Sequence, residues 1–149
     1  VIALLQRVSE AAVKVDGEPI GAIDAGVLAL VAVEPGDTEA QADRLVQRIL
    51  AHRIFPDDRN RMNLSLSDIK GGLLLVPQFT LLADTRRGNR PSFARAGDPA
   101  LGAGLFNYLV ACARRCHQPV SSGRFGAHMA VYLVNDGPVT LTVRVAPAT

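Results

Sequence analysis

The amino-acid sequence predicts an α+β fold: a single domain over residues 1–149 with a strongly curved, barrel-like β-sheet and two main helices. Three observations carry this expectation. Strand-like alternation fills both ends of the chain, two stretches of helical periodicity lie between them, and the length suits one hydrophobic core. Hydrophobic residues make up 48% and charged residues 20%, a mixture that argues against disorder.

The elements follow in order. Ile2 and Leu4 alternate with Ala3, Leu5 and Arg7, and Val13 and Val15 alternate with Lys14 and Asp16 before an Asp16-Gly17 turn. Val27 to Val33 is nearly continuous and apolar, the mark of a strand buried on both faces, and Pro35-Gly36 ends it. Thr38 caps a helix with Gln41 at capping-box spacing, and Ala42, Leu45, Val46, Ile49 and Leu50 form its apolar stripe. Pro56 prevents further helix, and the polar residues 57–71 predict loop or short edge structure. Leu73 to Val76 is a strand that meets Pro77, which cannot donate to a sheet ladder. A second helix runs from Asp98, as N-cap before Pro99, to about Cys116. Two final strands, Met129–Val134 and Val139–Val145, flank Asn135 to Val139, which reads as a turn between them.

Charge is unevenly distributed. Residues 1–85 carry 8 basic and 12 acidic side chains, whereas residues 86–149 carry 8 basic and 2 acidic ones. The densest stretch holds Arg86, Arg87, Arg90 and Arg95, which reads either as a solvated loop or as a phosphate-contacting arm. The longest small-and-apolar run, Ala25 to Val33, is far short of the roughly 20 residues that span a bilayer. Val1 to Val8 lacks the basic lead of a signal peptide, so a cytoplasmic protein is expected. Cys112 and Cys116 lie four apart without further converging ligands, so they predict helix packing rather than zinc.

Familiar catalytic signatures are missing. The sequence has no G-x-S-x-G elbow, P-loop or H-E-x-x-H motif, and His52, His117 and His128 read as structural or exposed. Any catalysis would rest on positioning and backbone donors. One segment is odd for its setting: Pro77-Gln78-Phe79-Thr80-Leu81 ends a buried strand with an amide and a hydroxyl.

Several segments together resemble D-aminoacyl-tRNA deacylases. They are Ile2-Ala3-Leu4 with Gln6-Arg7-Val8, Gln78 to Thr85, Arg90-Pro91-Ser92-Phe93, Gly123 to Met129, and Asn135 to Thr140. The resemblance implies a homodimeric editing enzyme that needs no metal or other cofactor. Its substrate is aminoacyl-tRNA, with neither DNA nor a membrane as partner. Such enzymes hydrolyse the ester joining a D-amino acid, or glycine, to the terminal adenosine. Carried onto this chain, Gly137 and Pro138 form a cis-peptide motif that enters the partner subunit's pocket and excludes L-amino acids, and Arg7 holds that loop. Gln78, Phe79 and Thr80 line the ester, while Phe125 and Met129 fall in the pocket wall. The tRNA 2′-hydroxyl assists, although Thr80 is an alternative nucleophile. Arg86, Arg87 and Arg90 are the expected phosphate contacts.

Two positions depart from the family pattern: Pro77 replaces serine, and Gly102 replaces alanine. A sister group that tolerates small L-amino acids has proline at the first position, so relaxed chirality is an alternative. A non-catalytic RNA-binding module is the other.

Overall fold

The computed structural model describes residues 1–148. In chain order the elements are β1 (Ile2–Val15), β2 (Glu18–Ile23), β3 (Gly26–Ala32), α1 (Glu39–Ala51), β4 (Phe55–Pro56), β5 (Met62–Leu64) and α2 (Leu66–Ile69). There follow β6 (Gly72–Pro77), the 3₁₀ turn η1 (Phe79–Leu82), α3 (Pro99–Cys116), β7 (Val120–Ser122) and β8 (Ala130–Arg144). The main sheet has the order β2-β1-β3-β6-β7, with β8 on the other side of β1. It curls until Ser121 Oγ donates to the Ala22 carbonyl at 3.1 Å, which ties β7 back to β2. This is the curved α+β architecture expected from the sequence. A third helix, the short α2, is added in the stretch read as loop or edge, capped by Ser65, whose Oγ accepts from Asp68 N–H at 3.0 Å.

Two apolar clusters hold the sheet. Ala3, Leu5, Val27, Val31, Leu73 and Leu75 pack beneath α1 and α3, which contribute Leu45, Ile49, Phe106 and Leu109. Each of the buried valine, leucine, isoleucine and phenylalanine side chains is worth about 1.5–3 kcal/mol of transfer free energy. Val8, Ala11, Val13, Leu28, Leu74 and Val76 fill the opposite face, inside the curl. A bulge lets β1 serve both. Val8 pairs with Asn135 and Glu10 with Val134, so Ser9 is an extra residue. That extra residue keeps Ala11 and Val13 on the same face as Val8, where plain alternation would have turned them away.

Both main helices begin and end close to where their sequences place them. In α1, Gln41 Oε1 accepts from both the N–H and the hydroxyl of Thr38, each at 2.7 Å. His52 lies just past its end, with Nδ1 2.6 Å from the Arg48 carbonyl oxygen. In α3, Asp98 Oδ1 accepts from Ala100 N–H at 3.0 Å, with Pro99 at the first helical position. No helix among the described residues is long and apolar enough to cross a membrane.

One expectation needs correction. Asn135 to Val139 is not a turn between two strands, because the chain does not reverse. β8 pairs with β1 on both sides of this segment, Asn135 opposite Val8 and Thr140 opposite Gln6, so residues 136–139 bulge out of one continuous strand. The expected residue types were right for the shape, since Gly137 sits at φ 130, but a bulge and a hairpin turn draw on the same residues.

Candidate active site

A cleft of about 570 Å³ opens at the C-terminal ends of the parallel pair β3 and β6. Val31, Ala32, Val76 and Pro77 form its floor. Phe93, Ala96 to Pro99, Gly102 and Phe106 build one wall, and Phe125 to Met129 build the other. Gln78 and Phe79 stand at the rim. The lining is mainly apolar with a few polar groups, the usual make-up of a small-ligand site.

The rim is shaped by a sharp exit from β6. Gln78 N–H donates to the Val31 carbonyl at 2.7 Å, and the chain then turns into η1, where Leu81 N–H reaches the Gln78 carbonyl at 3.2 Å. A helix start leaves its first donors free. Accordingly, neither Phe79 N–H nor Thr80 N–H donates to another residue among those described. Two adjacent backbone donors therefore remain for a carbonyl or oxyanion, while that of Gln78 is already engaged. The Gln78 side-chain amide donates to Thr80 Oγ1. The Phe79 ring, 52% exposed, meets Phe93 edge-on with centroids 5.2 Å apart.

Pro77 fits this end of the strand for a topological reason. Gln78 N–H points to β3, so alternation aims the backbone nitrogen of Pro77 toward the β7 side. There β7 has already ended at Ser122, and no ladder bond to β3 is lost. A Cβ on Gly123 would come 2.8 Å from Met129 Sδ and 3.3 Å from Pro77 Cδ, so a side chain there would press on the Met129 and Pro77 side of the cleft.

Among the described residues, Asp98 and His128 are the only titratable side chains lining the cleft. Asp98 is spent on capping α3. The cleft thus brings together Pro77, Gln78, Phe79, Gly102, Phe125 and Met129 of the residues singled out in the sequence. Thr80 is exposed on η1 and does not line it. Val31, Phe93, Asp98, Phe106 and His128 line it without having been singled out as site residues. Of these, Phe93 and His128 fall within segments that carry the family resemblance and Asp98 was legible as a helix N-cap, whereas Val31 and Phe106 had no signal of their own.

Gly137, Pro138 and Arg7 lie apart from the cleft of the same chain. They form the bulge of β8, where Gly137 and Pro138 are exposed and joined by a cis peptide bond. Arg7 Nε donates to the Asp136 carbonyl at 3.0 Å and its Nη1 to the Ile54 carbonyl at 2.7 Å. Asn135 Nδ2 donates to the carbonyls of Arg7 and Val139 at 2.9 and 3.0 Å, closing the base of the bulge. A Cβ on Gly137 would fall 2.9 Å from Val139 Cγ2 and 3.0 Å from Arg7 Nη2.

Arg86, Arg87 and Arg90 are exposed on the loop closed by the Asp84–Ser92 bridge. They are not equivalent. Arg86 forms a two-pronged pair with Asp84, Nε to Oδ1 at 2.9 Å and Nη2 to Oδ2 at 2.7 Å. Those bonds hold the Asp84 carboxyl well below the usual carboxylate range and push the Arg86 guanidinium up. Elsewhere, burial pushes the Cys112 thiol up to about 11, so it stays protonated at neutral pH.

Curved sheet, apolar cleft and unclaimed backbone donors together define a small-ligand site that would work by positioning and hydrogen bonding. The comparisons with known proteins then give the family. A family model described as D-Tyr-tRNA(Tyr) deacylase matches residues 4–144. D-aminoacyl-tRNA deacylase of Thioalkalivibrio sulfidiphilus is 66% identical over 98% of this chain and 98% of its own. That of Methylococcus capsulatus is 58% identical over 98% and 95%. A solved structure described as c-Myc DNA Unwinding Element Binding Protein superposes with a TM-score of 0.92 at 34% identity, covering 98% of this chain and 99% of that one. Another, described as a probable eukaryotic D-amino acid tRNA deacylase, shares the fold with a TM-score of 0.84 at 18% identity, covering 95% of this chain and 97% of that one. The chain belongs to the D-aminoacyl-tRNA deacylase family, a family of ester hydrolases.

Proposed function

We propose that this protein hydrolyses the ester bond of D-aminoacyl-tRNA, and of glycyl-tRNA, releasing free amino acid and tRNA. The observation that carries the reading is the unclaimed Phe79 N–H at the rim of an apolar cleft, with the unclaimed Thr80 N–H next to it in the chain. Donors fixed in advance stabilise the negative charge that develops on an ester carbonyl. Water adds to that carbonyl, the bond to the ribose oxygen breaks, and the proton passes to the departing ribose oxygen. The neighbouring 2′-hydroxyl of the substrate relays that proton. Thr80 is a poor nucleophile here, because its Oγ1 has the Gln78 amide as partner and no base.

Chirality is enforced by exclusion. Gly137 and Pro138 of a second copy enter the cleft and leave no room on the L side of the α-carbon, and Arg7 holds the bulge that presents them. The separation of the bulge from its own chain's cleft supports action across a symmetric homodimer. The whole chain then acts as one catalytic unit in translation proofreading, which is cytoplasmic work. Pro77 and Gly102 leave D-selectivity intact, because neither belongs to the excluding bulge.

The test is incubation of D-tyrosyl-tRNA with nanomolar purified protein. Release of D-tyrosine is expected. Tight binding with the ester intact would overturn the reading in favour of a nucleic-acid-binding module, the kind of activity that the name of the c-Myc DNA Unwinding Element Binding Protein gives to that relative.

A further inference from the structure

We infer that the surface leading from Arg124 along α3 to Arg114 and Lys70 is a track for the phosphate backbone of the substrate's acceptor stem. This rests on the reading of aminoacyl-tRNA as substrate. Phe125 has two sides: it walls the cleft, and it also borders a shallower groove of about 420 Å³ with Asn107, Ser122 and Arg124. A further groove of about 720 Å³ lies between Lys70, Arg114 and Gln118. At about 100° per residue, Ala103, Asn107 and Arg114 fall on one side of α3, so both grooves follow the same helix face.

The chemistry along this track is uniform. Among the described residues, neither groove has a carboxylate in its lining. Lys70, Arg114 and Arg124 are exposed, and none pairs with a carboxylate among the described residues, unlike Arg86 and Arg144. Arg115 also lines the second groove, with its guanidinium 5.9 Å from the centre of the Tyr108 ring. Amides and a hydroxyl, from Asn107, Gln118 and Ser122, lie between the cations, a set suited to phosphate oxygens rather than to base stacking.

The length also fits. From Ala103 to Arg114 α3 spans about 17 Å. At about 3.4 Å per nucleotide of strand this covers roughly five nucleotides, enough for the unpaired 3′ tail and the start of the stem. The excess of basic residues beyond position 85 thus has two outlets: the loop around Arg87 and Arg90, and this track.

The experiment compares wild type, the double variant Lys70→Gln with Arg114→Gln, and Arg114→Lys. Each is assayed on full-length D-tyrosyl-tRNA and on the D-tyrosyl ester of adenosine alone, and the salt dependence of tRNA binding is measured. The double variant should raise KM for the tRNA several-fold, leave kcat unchanged, and lower the salt slope by roughly 0.7–0.9 per lost contact. Its activity on the adenosine ester should match wild type. Arg114→Lys should retain binding, because it keeps the charge. An unchanged KM and salt slope, or an equal loss on both substrates, would overturn the track while leaving the proposed function standing. Wild type that hydrolyses neither ester would overturn the functional reading itself.

Discussion

Replacing Gly102 by alanine probes the cleft wall and the fold at once. Gly102 lies in the first turns of α3, and a Cβ there would sit 3.4 Å from Phe125 Cζ and 3.6 Å from Cε2, ordinary contact without a clash. Two effects favour the variant. Glycine costs a helix interior about 0.8–1 kcal/mol relative to alanine, less near the start. Covering the new methyl with the Phe125 ring adds up to about 0.8 kcal/mol. A gain of about 1 kcal/mol should raise Tm by roughly 2–4 °C in a domain of this size. The same methyl narrows the cleft. One methyl in an apolar pocket is worth about 1–3 kcal/mol of discrimination, so kcat/KM for D-tyrosyl-tRNA relative to glycyl-tRNA should fall about tenfold or more. Thermal melting and the two kcat/KM values check both halves. A lowered Tm would show that Phe125 cannot accept the contact, and an unchanged ratio would place the amino-acid side chain away from this wall.

Four other outcomes are expected. Thr80→Ala should lose only about tenfold in kcat, or about 1.4 kcal/mol, and a fall of several orders of magnitude, measured in single turnover, would restore Thr80 as nucleophile. Arg87→Gln and Arg90→Gln should each flatten the salt dependence of tRNA binding by just under one unit, whereas Arg86→Gln should do so less, because Asp84 already occupies that guanidinium; equal slopes for all three would refute the pairing. Native protein should expose one thiol to a disulfide reagent, Cys116, and both after denaturation. The buried Cys112 also predicts weakening in alkali. Below its ordinary 9.0 both states hold the proton, but as pH rises toward about 11 only the folded state does, so stability falls through that window, as denaturant titrations at several pH values would show.

The sequence revealed local structure well and tertiary partners poorly, for reasons visible in particular residues. The caps at Thr38 and Asp98 and the stripe from Ala42 to Leu50 are local, and their helices formed as their patterns require. Periodicity names a face but not its partner. It could not reveal that Ser9 is a bulge, or that Asn135 to Val139 interrupts a single strand. The oddity of Gln78-Phe79-Thr80 pointed to the rim, because polar residues at the end of a buried strand need a reason. Val31 and Phe106, however, reach the cleft through strand pairing and helix docking, and as apolar core types they carry no signal of their own. Arg86 looked like Arg87 until Asp84 was seen beside it.

The most direct measurement sets D-tyrosyl-tRNA and L-tyrosyl-tRNA, made on the same tRNA, side by side with the same nanomolar enzyme. If, as proposed, donors at Phe79 and Thr80 polarise the ester and the Gly137-Pro138 bulge excludes the L side, the D ester should be lost rapidly. The L ester should decay no faster than in buffer. Comparable hydrolysis of both esters would contradict chiral exclusion, and survival of both would contradict catalysis.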